Sequence, residues 1–277
     1  MKKNLLGILA LAIACTIPAL LMNCGEDEPP ATGDGGGGGG GDTGGSDGGV
    51  TIEDAGEGQP KSISGTVTDF QSKQPVADVT VELYDDDNGA SLGISGTSGA
   101  DGTITLDGIP ASKGKVGVKT TKADNMDTIQ YHFDSGATGE TFYIISQTTV
   151  SLIAGILGVT IDPAKGVAAG SVYYGPSTDE EPIGCATVAT DPAGGEIHYM
   201  DNSGIPTKDR DTKGTNPKNG YFSILNMEPG AININATVGG ATESSILPKL
   251  DANTVAISNV RFLKDKYAAN PQPAACE

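Results

Sequence analysis

Short segments in which apolar and polar residues alternate begin near residue 63 and are separated by Gly and Pro. In such a segment every second side chain lies on the same face, so one face packs on a core and the other meets water. We predict half-buried strands at 63–69, 75–83, 101–106 and 116–118. Asp101-Gly102 precedes the third of these strands and is a strong turn signal, because Gly admits positive φ.

The same order of segments returns about a hundred residues later, which indicates an internal repeat. The second set of predicted strands is 167–172, 182–188, 219–224 and 229–234. Gly170 falls where Gly65 did, and Asn219-Gly220 repeats the turn signal of Asp101-Gly102. A long insertion at about 190–218 distinguishes the second copy from the first.

These motifs resemble those of the carboxypeptidase regulatory-like family. The matching elements are the Gly65-Thr66-Val67 strand, the Pro75-Val76 strand start, the Asp-Gly or Asn-Gly turn, and Pro229-Gly230 before the last strand. The resemblance implies an all-β chain with two tandem transthyretin-like (prealbumin-like) β-sandwiches, at 61–145 and 167–277. It also implies non-catalytic modules of the kind attached to peptidases, outer-membrane receptors and surface proteins.

A single helix is predicted between the two copies, within a linking region at 146–166. Ser146 suits an N-cap and Gly158 suits a C-terminal stop. Apolar residues at 150, 153, 154 and 157 would share one face of this helix. We expect a short helix that covers the end of a sheet; a helix that docks on a partner or a membrane is the alternative.

The first 23 residues are typical of a secretory signal. Lys2 and Lys3 precede an apolar run from Leu5 to Met22, and the run ends at Leu21-Met22-Asn23-Cys24. This sequence resembles a bacterial lipobox, which predicts acylation at Cys24 and a lipid anchor in the cell membrane or outer membrane. Acylation at Cys15 and ordinary signal cleavage are the two alternatives.

Residues 24–60 form a predicted tether. Positions 25–60 contain 15 Gly and nine acidic residues, and no Lys or Arg. With so few apolar side chains, burial does not offset the entropy cost of ordering, so we expect disorder. A Gly-rich coil of this length has a root-mean-square span of roughly 30–35 Å.

The net charge of −18 excludes the usual basic binding surface for nucleic acid. Only His132 and His198 are available for a His-based metal site, and we predict no such site. Asp85, Asp86 and Asp87 precede Gly89 and are a candidate calcium turn; a solvated acidic turn is the stronger interpretation.

No catalytic residue or cofactor is predicted. The one Gly-x-Ser-x-Gly match, at residues 44–48, lies in the tether, without the strand and helix that a nucleophile elbow needs. A serine hydrolase is therefore the weakest of the function classes considered.

Cys185 and Cys276 remain if Cys24 is acylated, and in an exported protein such a pair predicts a disulfide. Alternation along 182–188 predicts that Gly184, Ala186 and Val188 face the core and that Cys185 points outward. The alternative is a small core residue at Cys185 and a free thiol at Cys276.

The sequence therefore predicts a lipid-anchored envelope protein with a structural, adhesive or ligand-binding role. Its expected partners are the membrane, through the lipid, and an envelope protein or carbohydrate. The alternative is an accessory carbohydrate- or peptide-binding module that serves a separate enzyme. Exposed aromatic residues would favour this alternative, and Tyr173 and Tyr174 are the best candidates.

Overall fold

The computed structural model describes residues 58–175 and 180–273. The first copy contains β1 (Lys61–Asp69), β2 (Thr80–Asp85), β3 (Ser91–Thr97), β4 (Thr103–Ile109), β5 (Lys115–Thr121), β6 (Asn125–Asp134) and β7 (Glu140–Ser146). Helix α1 (Gln147–Leu157) follows. The second copy contains β8 (Gly166–Tyr174), β9 (Glu181–Pro182), β10 (Thr187–Asp191), β11 (Glu196–Met200), β12 (Pro206–Thr207), a 3₁₀ helix (Lys208–Arg210), β13 (Tyr221–Met227), β14 (Gly230–Val238), β15 (Ala241–Leu250), β16 (Thr254–Ile257) and β17 (Val260–Phe262).

The first copy is a β-sandwich. One layer has the order β4-β1-β7, in which β1 and β7 are parallel, and the other has the order β3-β2-β5-β6. Alternating apolar side chains of both layers meet in a core that lies entirely within this copy. Its buried members are Ile63, Val67, Val79, Val81, Leu83, Ile104, Leu106, Ile109, Val116, Val118, Phe142 and Ile144.

The second copy repeats this plan, with more strands in the layer that corresponds to β4-β1-β7. Strands β12, β11, β13 and β8 are neighbours in that order, and β17 pairs with β8 in parallel, as β7 does with β1. The opposite layer has the order β10-β14-β15. The structure is therefore all-β in two sandwiches, as the alternating pattern predicted.

The two copies share one continuous sheet. Strand β16, from the second copy, lies between β6 and β8 and is parallel to both; Ala256 pairs with Ile129 on one side and with Ala168 on the other. On one face of this junction, Tyr84, Ile129 and Tyr131 of the first copy join the core of the second. The apolar core of the second copy thus extends onto the outer face of the first.

Helix α1 lies between the two copies, as predicted, but it covers the other face of the junction and not the end of a sheet. The Ser146 hydroxyl accepts a hydrogen bond from the Thr149 N–H at 3.1 Å, and Gly158 ends the helix with φ 66°. Val150 and Leu157 pack against residues of β6, β8, β13 and β16 in a third apolar cluster. The apolar stripe of the helix therefore seals the sheet where the two copies meet.

Matching hydrogen bonds confirm the repeat at atomic detail. The Ser98 hydroxyl accepts from the Val79 N–H and donates to the Val76 carbonyl, and the Ser98 carbonyl accepts from the Asp78 N–H. Thr215 makes the same bonds in the second copy, with Ala186, Ile183 and Cys185 in place of Val79, Val76 and Asp78.

The predicted continuous strand at 182–188 is wrong. Strand β9 ends at Pro182, β10 begins at Thr187, and Cys185 between them has φ 56°. A left-handed residue breaks the two-residue period of a strand, so Ile183 and Ala186 both point inward. Asp78 has φ 55° at the equivalent place, where the predicted strand 75–83 likewise begins only at Thr80.

Candidate functional site

The three carboxylates of the candidate calcium turn do not converge, because Asp85 and Asp87 both contact Lys113 while Asp86 contacts His132. Asp85 accepts hydrogen bonds from the Lys113 ammonium group at 2.8 Å and from the side chain of Asn88 at 3.1 Å. The Lys113 hydrogen bond lowers the pKa of Asp85, and Lys113 also lies 3.4 Å from Asp87. Asp86 turns the other way, towards His132. A calcium ion at this turn would have to displace the Lys113 ammonium group from Asp85.

Asp86 and His132 begin a chain of hydrogen bonds between the two copies. Asp86 accepts from the backbone N–H of His132 at 2.7 Å, and its other oxygen lies 2.9 Å from Nδ1. The Nε2 atom of His132 lies 3.3 Å from the Ser245 hydroxyl on β15, which lies 2.6 Å from the Ser258 hydroxyl. His132 has φ 75°, a backbone conformation that is unfavourable for residues other than Gly. The hydrogen bonds of His132 hold the backbone in this conformation.

The order Asp86, His132, Ser245 is that of a catalytic triad. However, Ser245 is only 8% exposed, it pairs with Ile234 in the middle of β15, and its hydroxyl is also bonded to Ser258. A nucleophile must instead be presented to substrate, as on a strained turn. The geometry suits a polar link at the rim of the shared core better than catalysis. No sequence motif marks Ser245, because its contact with His132 arises only when the two copies pack together.

The second histidine lies in the insertion of the second copy. Nδ1 of His198, on β11, lies 3.0 Å from the Asp211 carboxylate, just after the 3₁₀ helix. The buried guanidinium of Arg210 donates to the carbonyls of Gly214 and Thr215 at 3.1 and 2.8 Å. Buried polar groups of this kind are stable only when they are paired, so these contacts fix the fold of the insertion. His132 and His198 belong to separate clusters.

Cys185 lies beside the C-terminal tail. The adjacent Gly184 N–H donates to the side-chain oxygen of Gln272 at 3.1 Å, and a Cβ atom added at Gly239 would meet the Pro271 carbonyl oxygen. Two separate loops of the second copy therefore hold the tail near Cys185. Cys276 and the candidate lipidation site Cys24 lie outside the described residues, as do Cys15 and the Gly-x-Ser-x-Gly match at 44–48.

The aromatic pair expected to favour carbohydrate binding does not form an exposed surface. Tyr174 is buried in the core of the second copy, and its hydroxyl donates to the Tyr267 carbonyl at 2.9 Å. Tyr173 is half-buried in the same strand. The alternation of β8 explains the difference, because two consecutive residues of a strand point to opposite faces.

Residues 58–175 and 180–273 contain no group of three His, Cys, Asp or Glu residues that could hold a metal ion. No helix in these segments has the length and apolar character needed to cross a membrane.

No protein-family model and no curated protein sequence matches the chain. Among solved structures, it is similar to the Bacillus anthracis TIE protein, with 12% identity over 73% of this chain and 34% of that chain, and a TM-score of 0.24. It is also similar to the minor pilin GBS52 of Streptococcus agalactiae, with 9% identity over 78% of this chain and 100% of that chain, and a TM-score of 0.24. It is similar as well to the shaft pilin SpaA from Lactobacillus rhamnosus GG, with 10% identity over 73% of this chain and 98% of that chain, and a TM-score of 0.23. The chain spans about a third of the length of the TIE protein.

Proposed function

We propose that the chain is an exported lipoprotein, anchored through acylated Cys24, whose paired β-sandwiches have a structural or adhesive role at the cell envelope. One observation carries the proposal. The apolar run from Leu5 ends at Leu21-Met22-Asn23-Cys24, and the next 36 residues are rich in Gly and contain no Lys or Arg. An acylated Cys followed by a Gly-rich acidic segment suits a protein that is held by a lipid and displayed away from it.

The packing of the two copies supports a structural or adhesive role. Strand β16 joins them in one sheet, and α1 and β15 cover opposite faces of the junction. The shared apolar core opposes independent movement of the two sandwiches, because separating them would expose Ile129 and Tyr131 to water. A body of this kind can present a partner-binding surface, of protein or carbohydrate, at a fixed geometry.

We further propose that the chain is not an enzyme and carries no cofactor. Support comes from the two histidine clusters, in which Asp86 and Asp211 each contact a histidine; the His132 side chain is half-buried and the His198 side chain is buried. Ser245, whose hydroxyl contacts His132 Nε2, is buried in a paired strand.

Lipid labelling of two cysteine variants tests the anchor. The full chain is produced in a bacterial host with a labelled fatty acid, beside Cys24→Ala and the matched variant Cys15→Ala. We expect the label on the parent chain and on Cys15→Ala but not on Cys24→Ala. We also expect globomycin to block processing and mass spectrometry to find an acylated Cys24 at the mature N-terminus. Label that persists in Cys24→Ala contradicts the proposal.

The structural or adhesive role is tested on whole cells. Cells that carry the parent chain are compared with cells that carry Cys24→Ala and with cells whose chain lacks residues 61–273. We expect both changes to reduce attachment to a surface or resistance of the envelope to detergent. If neither property changes while lipid labelling of Cys24 is normal, the anchor stands and the structural or adhesive role is wrong.

A further inference from the structure

Two buried polar atoms that lack hydrogen-bond partners belong to opposed residues on neighbouring strands of the second copy. They are Nε2 of His198 on β11 and the hydroxyl oxygen of Ser223 on β13, and neither has a hydrogen-bond partner among the described residues. The His198 side chain is 8% exposed and Ser223 is 4% exposed. Buried polar atoms in native proteins are nearly always hydrogen-bonded, so such a pair requires an explanation.

Strand pairing places the two side chains on the same face of the sheet. His198 and Ser223 are directly opposed in the antiparallel β11–β13 pair. Their neighbours Ile197, Phe222 and Ile224 face the core of the second copy, so His198 and Ser223 face the other side, towards the α1 cluster that contains Leu225. Directly opposed residues have Cβ atoms about 4.5–5.5 Å apart, so one small group can contact both side chains.

The bond to Asp211 determines what Nε2 can do. A carboxylate oxygen can only accept, so Nδ1 of the neutral ring, 3.0 Å from Asp211, carries the proton. Nε2 then has a free lone pair and needs a donor. The Ser223 hydroxyl can donate its proton as well as accept one. On the far side of Ser223 the paired residue is Ala169, whose side chain is a single methyl group with no polar atom to satisfy Ser223.

We propose that His198 and Ser223 bind one buried water molecule. The water donates one proton to Nε2 of His198 and accepts the proton of the Ser223 hydroxyl, which satisfies both atoms. Both side chains are more than nine-tenths buried, so this water is shielded from bulk solvent. The water completes a chain of hydrogen bonds from Asp211 through His198 to Ser223, and so ties the insertion to the central strand β13.

Nuclear magnetic resonance on the full chain tests the site. The chain has two histidines, so a spectrum of ring-labelled histidine has two sets of signals, which His132→Gln assigns. We expect a cross-peak between a long-lived water and the His198 ring protons next to Nε2. The cross-peak is lost in Ser223→Ala and kept in Ser203→Ala, the same change at an exposed turn. A cross-peak that survives in Ser223→Ala overturns the proposal, as does its absence from the parent chain.

A high-resolution crystal structure of the parent chain tests the site without any substitution. We expect an ordered water within about 3.2 Å of both Nε2 of His198 and the Ser223 hydroxyl oxygen. A direct hydrogen bond between these two atoms, or a dry gap between them, overturns the proposal.

Discussion

The Tyr131 hydroxyl, on β6 of the first copy, donates a hydrogen bond to the Lys249 carbonyl on β15 of the second copy at 3.0 Å. Burial raises the pKa of Tyr131 well above its ordinary value, as expected for a phenol that has lost contact with water. A tyrosine on the outer face of one sandwich therefore lies within the core of the other. Through this contact and the pairing of β16 with β6, the second copy contributes to the stability of the first.

We predict that residues 61–145 fold alone. All twelve buried residues of the first core lie within this segment, and its two layers pair without help from the second copy. We expect a β-type far-UV spectrum and cooperative unfolding in urea. A spectrum without β structure contradicts the prediction.

The isolated first copy should nevertheless be less stable than it is in the full chain, and it should associate with other copies of itself more readily. Removal of β15 and β16 exposes Ile129, Tyr131 and the edge of β6, and unpaired edges promote association. We expect binding of a hydrophobic dye and association that depends on concentration. The variant Ile129→Glu should reduce both; if it does not, the exposed face is not the cause.

A substitution in α1 should stabilise the protein. Gly155 lies inside the helix, and a Cβ atom added there would meet no other atom within 4 Å. Because Gly loses more backbone entropy on folding than Ala, Gly155→Ala should raise the free energy of unfolding by about 0.5–1 kcal/mol. Urea unfolding of the full chain measures the change.

Gly158→Ala is the matched control for this helix. Gly158 has φ 66°, which costs an Ala residue about 1–2 kcal/mol because its Cβ atom approaches the following carbonyl oxygen. The variant should therefore be less stable than the parent chain. If both substitutions shift stability in the same direction, the assigned end of the helix is wrong.

Asp85 should make the stability depend on pH. The hydrogen bond from Lys113 lowers the pKa of Asp85 from its ordinary value of 3.8. The carboxylate therefore stabilises the folded state fully above the unfolded-state pKa, and this contribution is lost as the pH falls through the lower folded-state pKa. We expect Asp85→Asn to destabilise the protein at pH 7 and to do so progressively less below about pH 4.

Urea unfolding at pH 7 and at pH 3 measures how much Asp85→Asn lowers the free energy of unfolding at each pH. Asp107→Asn removes a carboxylate from the exposed face of β4 and is the control; it should change stability little. A destabilisation by Asp85→Asn that is equal at pH 7 and pH 3 would show that the ionised carboxylate is not responsible.

Cys185 and Cys276 are predicted to form an intramolecular disulfide. The contact of Gln272 with Gly184 supports this pairing, because Cys276 follows four residues later. Bridges that close long loops commonly stabilise by about 2–4 kcal/mol, so reduction or Cys276→Ser should lower the melting temperature. Reductant should have no further effect on Cys276→Ser. Alkylation of both thiols in the unreduced, denatured mature protein would refute the bridge.

Local sequence determined the elements whose signals lie within a few residues of each other. Alternation predicted strands in both copies, and Ser146 and Gly158 marked the ends of α1, because caps and turns depend on neighbouring backbone groups. Gly65 and Gly170 occupy the same place in two similar short segments, and this local similarity revealed the repeat. Strands β3, β6, β7, β11, β12 and β15 to β17 were not predicted, although β6 and β15 are the longest of the described strands.

Tertiary structure decided the rest. The pairing of β16 with β6, and the contact of His132 with Ser245, join residues more than a hundred positions apart. Pairing of this kind depends on which edges and faces remain uncovered after the local elements form, and it leaves no period in the sequence. The left-handed backbone of Cys185 is a further case, since it is held by Thr215, thirty residues away. Sequence alone therefore specified the two sandwiches, and packing of their exposed faces specified how they join.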